Sequence, residues 1–455
     1  GTQTISPTTF HNLVIDKPVG TTAELTGMVL MNGDLTVTSG TLDIGSFVCD
    51  RTVLGGTLTL ADSATFIVGG NNPPANFANG TLAVSSTVIA DGTDPQLIFG
   101  VDFGNLIFRN AGAKTLVSPI TVHGNLVIES GASFDAGANT LTLGGNWVND
   151  GTFTPSTSTI VCTGTSKNIS GNSTFNRFSV YGSYTILDDV TFDQLLVINS
   201  GGSISGGSMI HTTMNGDLIN HGILYTLGTT TFTGTVLQTL SLINAVQTVA
   251  ITVNFNGTVP PVLNSTSAPQ YGYLNINNTG GITPSTGWSI LYGLSVGTGA
   301  SFNGGIYTHN LLGSLDNNGT ITGSGTFNFI PSSAATIDFG ADFSSSGTVV
   351  LGSTGAITAA GTPVSFNNVL ISNTHASGIT PASDWEILND FTVNGSSTFH
   401  AGAHTYSVGN NIQVDGTLDA GTATFILNGT DHQDIFSTSG FYNLTLDKAA
   451  DVATL

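Results

Sequence analysis

Two histidines near the end of the sequence have the types and spacing that come closest to a metal site. His400 and His404 lie in the segment Phe399-His-Ala-Gly-Ala-His404. A zinc site needs three or four ligands, and no third ligand is identifiable from the sequence. In a similar segment of the chain, Asp135 and Asn139 stand at the two corresponding positions. We therefore interpret both histidines as turn residues, and we predict no metal and no cofactor.

A serine in Gly293-Leu-Ser-Val-Gly297 matches the nucleophile-elbow pattern of some hydrolases. That pattern requires a strand-to-helix turn, together with a histidine and an acid elsewhere in the chain. Ser295 instead belongs to a recurring strand-like segment, in which other copies carry Thr36 or Val127 at the same place. The sequence therefore predicts no catalytic serine.

Carboxylates around Trp385 are the third candidate for chemistry, because paired carboxylates catalyse glycoside hydrolysis. Asp384 and Glu386 flank the tryptophan, and Asp390 follows shortly after. The group fits either a sugar subsite or a solvated loop beside a packed tryptophan. The loop is favoured, because the preceding similar segment has no carboxylate at these positions. We therefore predict that the chain is not an enzyme and has no catalytic residues.

The charge balance excludes several partners. The chain has 455 residues and a formal net charge of −21, with only 7 lysines and arginines in total. Binding to nucleic acid needs clustered cations, and so acidic a chain is repelled by DNA and by anionic lipid. No long, uninterrupted run of apolar residues is present, so no membrane-spanning helix is predicted.

The rest of the composition indicates a long, thin core. Charged residues make up 8% of the chain, hydrophobic residues 39%, and there are 59 glycines. A disordered chain would have fewer apolar residues and more charge. The two cysteines, Cys49 and Cys162, are far apart in the sequence. In a stack of turns this separation is too large for a disulfide, so we predict two buried, unpaired thiols.

Two motifs recur in a fixed order. The first motif has the form aromatic-x-x-apolar-x-apolar, and its copies begin at Phe10, Phe103, Phe175, Tyr271, Phe366 and Phe441. The intervals between successive copies are long and unequal. The second motif follows each of the first five copies, and one example is Leu126-Val-Ile-Glu-Ser-Gly-Ala-Ser-Phe-Asp-Ala-Gly137. Self-similarity of this kind is typical of repeat architectures.

The local pattern between the motifs is that of short strands. Apolar and β-branched pieces of a few residues alternate with Gly, Asn, Asp and Ser, and no helical periodicity is sustained. We therefore predict an all-β fold, a parallel β-helix or β-solenoid that runs continuously over residues 1–455. It would consist of five degenerate repeats of about 70–98 residues and the start of a sixth. The approximate units are 10–102, 103–174, 175–270, 271–365, 366–440 and a partial 441–455. The alternative is a string of immunoglobulin-like sandwiches, which is disfavoured because the strands are short and no linkers separate the units.

A resemblance to a known repeat type follows from these segments. Gly151-Thr-Phe153, Ile160-Val-Cys-Thr-Gly164 and Thr174-Phe-Asn-Arg-Phe178 have a parallel run in Gly416-Thr-Leu418, Phe425-Ile-Leu-Asn-Gly429 and Phe441-Tyr-Asn-Leu444. Both runs resemble the β-strand repeats of large, secreted bacterial surface proteins of Bacteroidota-like lineages. The resemblance covers nearly the whole chain, and it implies a β-solenoid stalk at the cell surface or outside the cell.

The two ends of the sequence share one motif. Phe441-Tyr-Asn-Leu-Thr-Leu-Asp-Lys448 closely repeats Phe10-His-Asn-Leu-Val-Ile-Asp-Lys17, and the first residue is Gly1 instead of Met, which fits a processed chain or a fragment. The ends of a solenoid carry unpaired strand edges, which can template pairing with another chain. We therefore predict an extracellular structural protein whose copies assemble head to tail into a filament. The residues predicted to meet are Phe10, Leu13, Ile15, Phe441, Leu444 and Leu446.

Two other functions stay open. One is a monomeric adhesin stalk that belongs to a larger cell-surface protein. The other is a carbohydrate-binding or carbohydrate-active β-helix. The predicted partners are copies of the same chain, with surface glycans as a further class. Nucleic acid and membrane insertion are not predicted.

Overall fold

Every regular element of the fold is a β-strand. The computed structural model describes residues 1–100, 102–225, 227–242, 252–340, 342–361 and 364–448. Among these residues there is no helix at all, and so none long and apolar enough to cross a bilayer. The chain divides into two compact units: unit 1 consists of Gly1–Thr212 and His221–Leu227, and unit 2 of Thr213–Asn220 and Gly228–Leu455.

Unit 1 is a parallel β-solenoid in which each turn of the chain adds one strand to a long sheet. Thr2 pairs with Thr22, and Thr22 pairs in turn with Thr41. This sheet contains twelve parallel strands: Thr2–Ile5, Thr22–Leu25, Thr41–Asp43, Thr65–Val68, Thr87–Ala90, Asn105–Phe108, Leu126–Ile128, Trp147–Asn149, Lys167–Ser170, Ser183–Ile186, Ser203–Gly206 and Ile223–Leu224.

The other faces of unit 1 are built in the same way. A sheet of three strands contains Thr8–Phe10, Val29–Met31 and Cys49–Arg51. Two sheets of four strands contain Leu13–Asp16, Leu35–Ser39, Gly55–Leu60 and Phe77–Leu82, and then Gln96–Ile98, Ala113–Leu116, Ser133–Asp135 and Thr152–Thr154. A further parallel series contains Asp102–Phe103, Ile120–Val122, Thr140–Leu143, Thr159–Cys162, Ser173–Val180 and Val190–Ile198. Strand His211–Met214 spans the division between the units.

Unit 2 is also a parallel β-solenoid. Tyr273 pairs with Gly293, and Gly293 pairs with Ser314 on the following turn. Its strands are Asp217–Asn220, Thr229–Phe232, Thr239–Leu242, Thr252–Phe255, Val262–Asn264, Gln270–Ile276, Ser289–Val296, Ser301–Asn303, Thr308–Leu311, Ser314–Asn317, Thr320–Gly323, Thr326–Phe329, Ala335–Asp338, Asp342–Leu351, Ile357–Ala360, Val364–Ile371, Ile379–Pro381, Trp385–Ile387, Phe391–Val393, Thr398–His400, Thr405–Val408, Ile412–Val414, Thr417–Asp419, Thr424–Leu427, Ile435–Ser437 and Asn443–Leu446.

The alternation of residue types explains why these short segments form strands. In Thr140–Leu143 the two leucines are buried and the two threonines face outward. Successive side chains of a strand point to opposite faces, so one face of each strand joins the core. Leu141 pairs with Ile160 and Leu143 with Cys162, so apolar side chains stack from turn to turn. The core is therefore a set of apolar columns inside the solenoid.

The predicted fold class is confirmed, since the described chain is an all-β, parallel β-solenoid. A single turn, such as the one from Thr2 to Thr22, is much shorter than the repeat seen in the sequence. In unit 1 the first motif falls on three different sheets, at Leu13, Leu106 and Phe178. The long repeat therefore does not correspond to a whole number of turns, and its boundaries stay a prediction.

Candidate functional site

The two histidines contact carboxylates of neighbouring turns. His400 ends the strand Thr398–His400, and His404 lies in the connection before Thr405–Val408. His400 Nδ1 is 2.9 Å from Asp419 Oδ2, and His404 Nδ1 is 3.6 Å from Asp384 Oδ1. The hydrogen bond with His400, followed by one from the Gly421 N–H, lowers the pKa of Asp419. Each histidine therefore tethers its own turn to an adjacent turn.

Unit 2 also carries a shallow polar groove whose lining includes two carboxylates. Its volume is about 490 Å³, and it is lined in part by Asn318, Asp338, Asp342 and Ser383. Asp338 Oδ1 accepts the Gly340 N–H at 2.9 Å. Among the residues that the structure describes, no three His, Cys, Asp or Glu side chains are grouped so that they could hold a metal ion.

Trp385 lies in the core of unit 2, where no sugar could stack on it. Its ring packs against Phe366, Phe399 and Tyr406, with centroids between 5.2 and 5.7 Å from its own. The indole Nε1 is buried and has no hydrogen-bond partner among the residues that the structure describes. The alternation of a strand then puts the neighbouring Glu386 on the outer face.

The other two carboxylates of this group serve the backbone. Asp384 Oδ1 accepts the Thr405 N–H at 2.9 Å. Asp390 Oδ1 accepts the Asn411 N–H at 3.1 Å and the Asn410 side-chain N–H at 2.9 Å. These contacts join successive turns, so they favour a structural role over an acid–base role.

Ser295 sits in the middle of a strand. It belongs to Ser289–Val296 and pairs in register with Asn275 on one side and Asp316 on the other. A nucleophile elbow needs a sharp turn into a helix, and this segment continues as a strand. The local backbone therefore lacks the shape that exposes a nucleophilic serine.

The prediction for the cysteines is confirmed. Cys49 and Cys162 are both buried, and neither forms a disulfide. Burial and the nearby charge of Asp50 raise the pKa of Cys49 to about 12. Burial also raises the pKa of Cys162. Both thiols therefore stay protonated at neutral pH, which makes them poor nucleophiles.

The acidic end of the second motif forms a turn, which explains why the sequence repeats there. Asp135 Oδ1 accepts the Gly137 N–H at 2.8 Å, and Gly137 has φ of +59°. Asp and Asn favour such turns, and glycine adopts positive φ without a steric penalty. The same hydrogen bond joins Asp43 to Gly45, Asn303 to Gly305, and Asp338 to Gly340. His400 occupies this position before Gly402, and it pairs with Asp419.

A ladder of Asn and Asp side chains was missed by sequence reasoning. In unit 1 the Oδ1 atoms of Asn105, Asn125 and Asn146 each accept the backbone N–H of the next ladder residue, at 2.9 Å, and the ladder ends at Asn168. In unit 2 a second ladder joins Asn368, Asp390, Asn411 and Asp434. We call each of these an Asx ladder. The signal was the third residue of the first motif, which is Asn at positions 12, 105, 368 and 443.

Buried glutamines form a second set of links between turns. In unit 1, Gln96 Oε1 accepts the Gly92 N–H, and its Nε2 donates to the carbonyls of Val68 and Gly70, all at 2.8 Å. Gln238 and Gln433 make the same three contacts with their own neighbours. We call this contact set a glutamine bridge. The signal in the sequence is Gly-Thr-x-x-Gln, which begins at Gly92, Gly234 and Gly429.

The predicted assembly residues lie on the first and last described turns. In unit 1, strands Thr8–Phe10 and Leu13–Asp16 pair with the following turn, and Leu13 and Ile15 are buried while Phe10 is half-buried. In unit 2, Asn443–Leu446 pairs with Thr424–Leu427, and Phe441 packs against Phe425 with ring centroids 5.1 Å apart. Leu444 is half-buried and Leu446 is 47% exposed.

Comparison with protein-family models, with curated proteins and with solved structures finds no match for this chain. Of the catalytic and metal candidates from the sequence, Asp384, Asp390, His400 and His404 contact neighbouring turns. The fold itself, a β-solenoid, is consistent with a structural or stalk-like protein.

Proposed function

We propose that this chain is an extracellular structural protein whose copies extend one another head to tail. The observation that carries the proposal is the exposure of inner residues on the last described strand. Leu446 is 47% exposed, whereas Leu427, its partner one turn earlier, is 0% exposed. A further turn on this edge would bury Leu446 as Leu427 is buried.

The energetic gain supports the same proposal. Burying a leucine side chain contributes about 1.5–3 kcal/mol, and an open strand edge also presents unpaired N–H and C=O groups. The strand Leu13–Asp16 ends its sheet and pairs with Leu35–Ser39 on one edge, so its other edge offers a matching surface. Both edges carry the first motif, so their apolar residues alternate in the same phase.

An extracellular location is supported by composition and by the resemblance to secreted surface repeats. Charged residues make up only 8% of the chain, and lysine and arginine together number 7 in 455 residues. So few basic residues leave few sites for trypsin-like proteases.

Electron microscopy and sedimentation velocity of the full chain test the proposal. We expect filaments whose length grows with protein concentration, and mostly monomers for Leu446→Asp. The control is Leu388→Asp, because Leu388 is 57% exposed just after the strand Trp385–Ile387 and away from the last edge. Wild-type monomers at every concentration would overturn the proposal and favour a monomeric stalk. Equal assembly of the two variants would also overturn it.

A further inference from the structure

Two tyrosines on the outer surface of unit 2 stack on each other. Tyr273 is 48% exposed and Tyr292 is 41% exposed. Their ring centroids are 5.4 Å apart, and the rings are tilted by 41°. Among the described residues, neither phenol hydroxyl makes a hydrogen bond. An aromatic pair with free hydroxyls at the surface is unusual here, since most aromatic rings of this chain pack inside the solenoid.

A bulge places the second ring beside the first. Tyr271 pairs with Ile290 and Tyr273 pairs with Gly293, so one residue on the first strand lies opposite two on the next. Bulges re-aim side chains and often occur beside functional sites. Tyr292 is one of the two residues in the bulge. A Cβ atom on Gly293 would lie 3.4 Å from Tyr273 Cδ1, so the ring of Tyr273 lies directly beside Gly293.

The pair also replaces a structural contact that the chain uses elsewhere. Tyr273 is the third residue of its copy of the first motif, the position where other copies have the Asn that begins an Asx ladder. Its register partner is Gly293, which has no side chain to continue a ladder. The third copy also departs, with Arg177 opposite Leu195, but without a pair of aromatic rings. Local rules are commonly broken at functional sites.

Polar side chains run beside the tyrosines. Asn275 lies two residues after Tyr273, on the same face of the strand, and its Nδ2 donates to Asn254 Oδ1 at 2.8 Å. Ser295 and Asp316 follow Asn275 in register on the next two turns. An aromatic surface next to amides and hydroxyls can contact both the C–H face and the hydroxyl groups of a sugar.

We propose that Tyr273 and Tyr292 form a stacking platform for the pyranose rings of a neutral polysaccharide. An anionic glycan is disfavoured, because no lysine or arginine occurs between Arg177 and Lys448. The neighbouring column carries the amide of Asn275, the hydroxyl of Ser295 and the carboxylate of Asp316, each of which can form hydrogen bonds with sugar hydroxyls. The platform lies away from the last described strand edge, so it does not depend on head-to-tail assembly.

Affinity electrophoresis on native gels tests this platform with the full chain. The gels contain hydroxyethylcellulose, galactomannan or xyloglucan as neutral probes, or polygalacturonate as an anionic probe. We expect at least one neutral probe to retard the protein, with the apparent affinity about tenfold weaker for Tyr292→Ala or Tyr273→Ala. Tyr292→Trp should restore the retardation, which separates loss of stacking from misfolding. The matched control is Tyr181→Ala in unit 1, because Tyr181 is a single tyrosine with 55% exposure.

The outcomes separate this proposal from the assembly proposal. Repeating the gels with Leu446→Asp should leave sugar binding unchanged even if filaments are lost. The platform is overturned if no neutral probe retards the wild-type chain, or if the alanine variants bind as the wild type does. Retardation by polygalacturonate in place of the neutral probes would also overturn it, in favour of an anionic glycan.

Discussion

Removing one glutamine bridge should open the chain locally. In Gln433→Met the side chain keeps nearly its volume but loses its hydrogen bonds with the Gly429 N–H at 3.0 Å and the carbonyls of Val408 and Asn410. Gln433 is fully buried, so the Gly429 N–H and the Asn410 carbonyl are left without partners, while the Val408 carbonyl keeps the Asn428 N–H at 3.2 Å. Each such group costs about 1–3 kcal/mol, and the lower limit for the two groups gives a total of about 2 kcal/mol. A change of this size raises the population of the opened state about 30-fold.

Hydrogen exchange followed by mass spectrometry suits this prediction, because solenoids unfold in parts and not as one two-state unit. Amides of the segment 424–437 should exchange about 30-fold faster in Gln433→Met. The matched control is Gln413→Met, since Gln413 is exposed and its side chain donates only to Asp415. That control should change local stability by less than about 0.5 kcal/mol. Equal exchange in the two variants would refute the reasoning about the bridge.

Three further predictions concern a carboxylate, the thiols and a turn. His400→Ala should raise the pKa of Asp419 toward its ordinary value, and a carboxyl NMR titration that shows no rise would contradict the assigned hydrogen bond. Because the folded-state pKa of Asp419 is lowered, its stabilising contribution is present above the ordinary pKa of about 3.9 and is lost as the pH falls through the folded value. A thiol reagent at pH 8 should label neither Cys49 nor Cys162 in the native chain and both in guanidinium, and fast native labelling would contradict their burial. In thermal melts Gly45→Ala should destabilise the chain by about 1 kcal/mol, because Gly45 has a φ of +52°, which an L-residue rarely adopts. A Cβ atom there would meet no atom closer than 3.8 Å, so the cost comes from the backbone conformation and not from a clash. Gly80→Ala is the neutral control, because a Cβ atom at Gly80 meets nothing within 4 Å.

The fold class could be predicted from the sequence because strand alternation and turn residues are local signals. The turn length could not, since it varies along the chain. Thr41 pairs with Thr65, whereas Lys167 pairs with Tyr184, so the first of these two turns is clearly the longer. Such variation blurs the short repeat of the single turn, while the longer motif stays visible.

The candidate sites depended on side-chain direction, which sequence spacing does not fix. A shift of one residue in register moves a side chain from the core to the surface. Trp385 is buried and Glu386 next to it is exposed, so the carboxylates could not be placed around a common sugar from spacing alone. The glutamine bridges were overlooked because their carbonyl partners lie on an earlier turn, distant in the chain. The Asx ladders were overlooked for the same reason, because they join residues that are about one turn apart in the chain.

The mismatch between the long repeat and the single turn has an evolutionary consequence. Within unit 1 the copies of the first motif fall on different sheets. A gene duplication that copies a whole long segment therefore displays its outward residues in a new direction. A duplication that copies one turn adds to the column already present. Copying single turns lengthens one face, whereas copying long segments places the same outward residues on several faces.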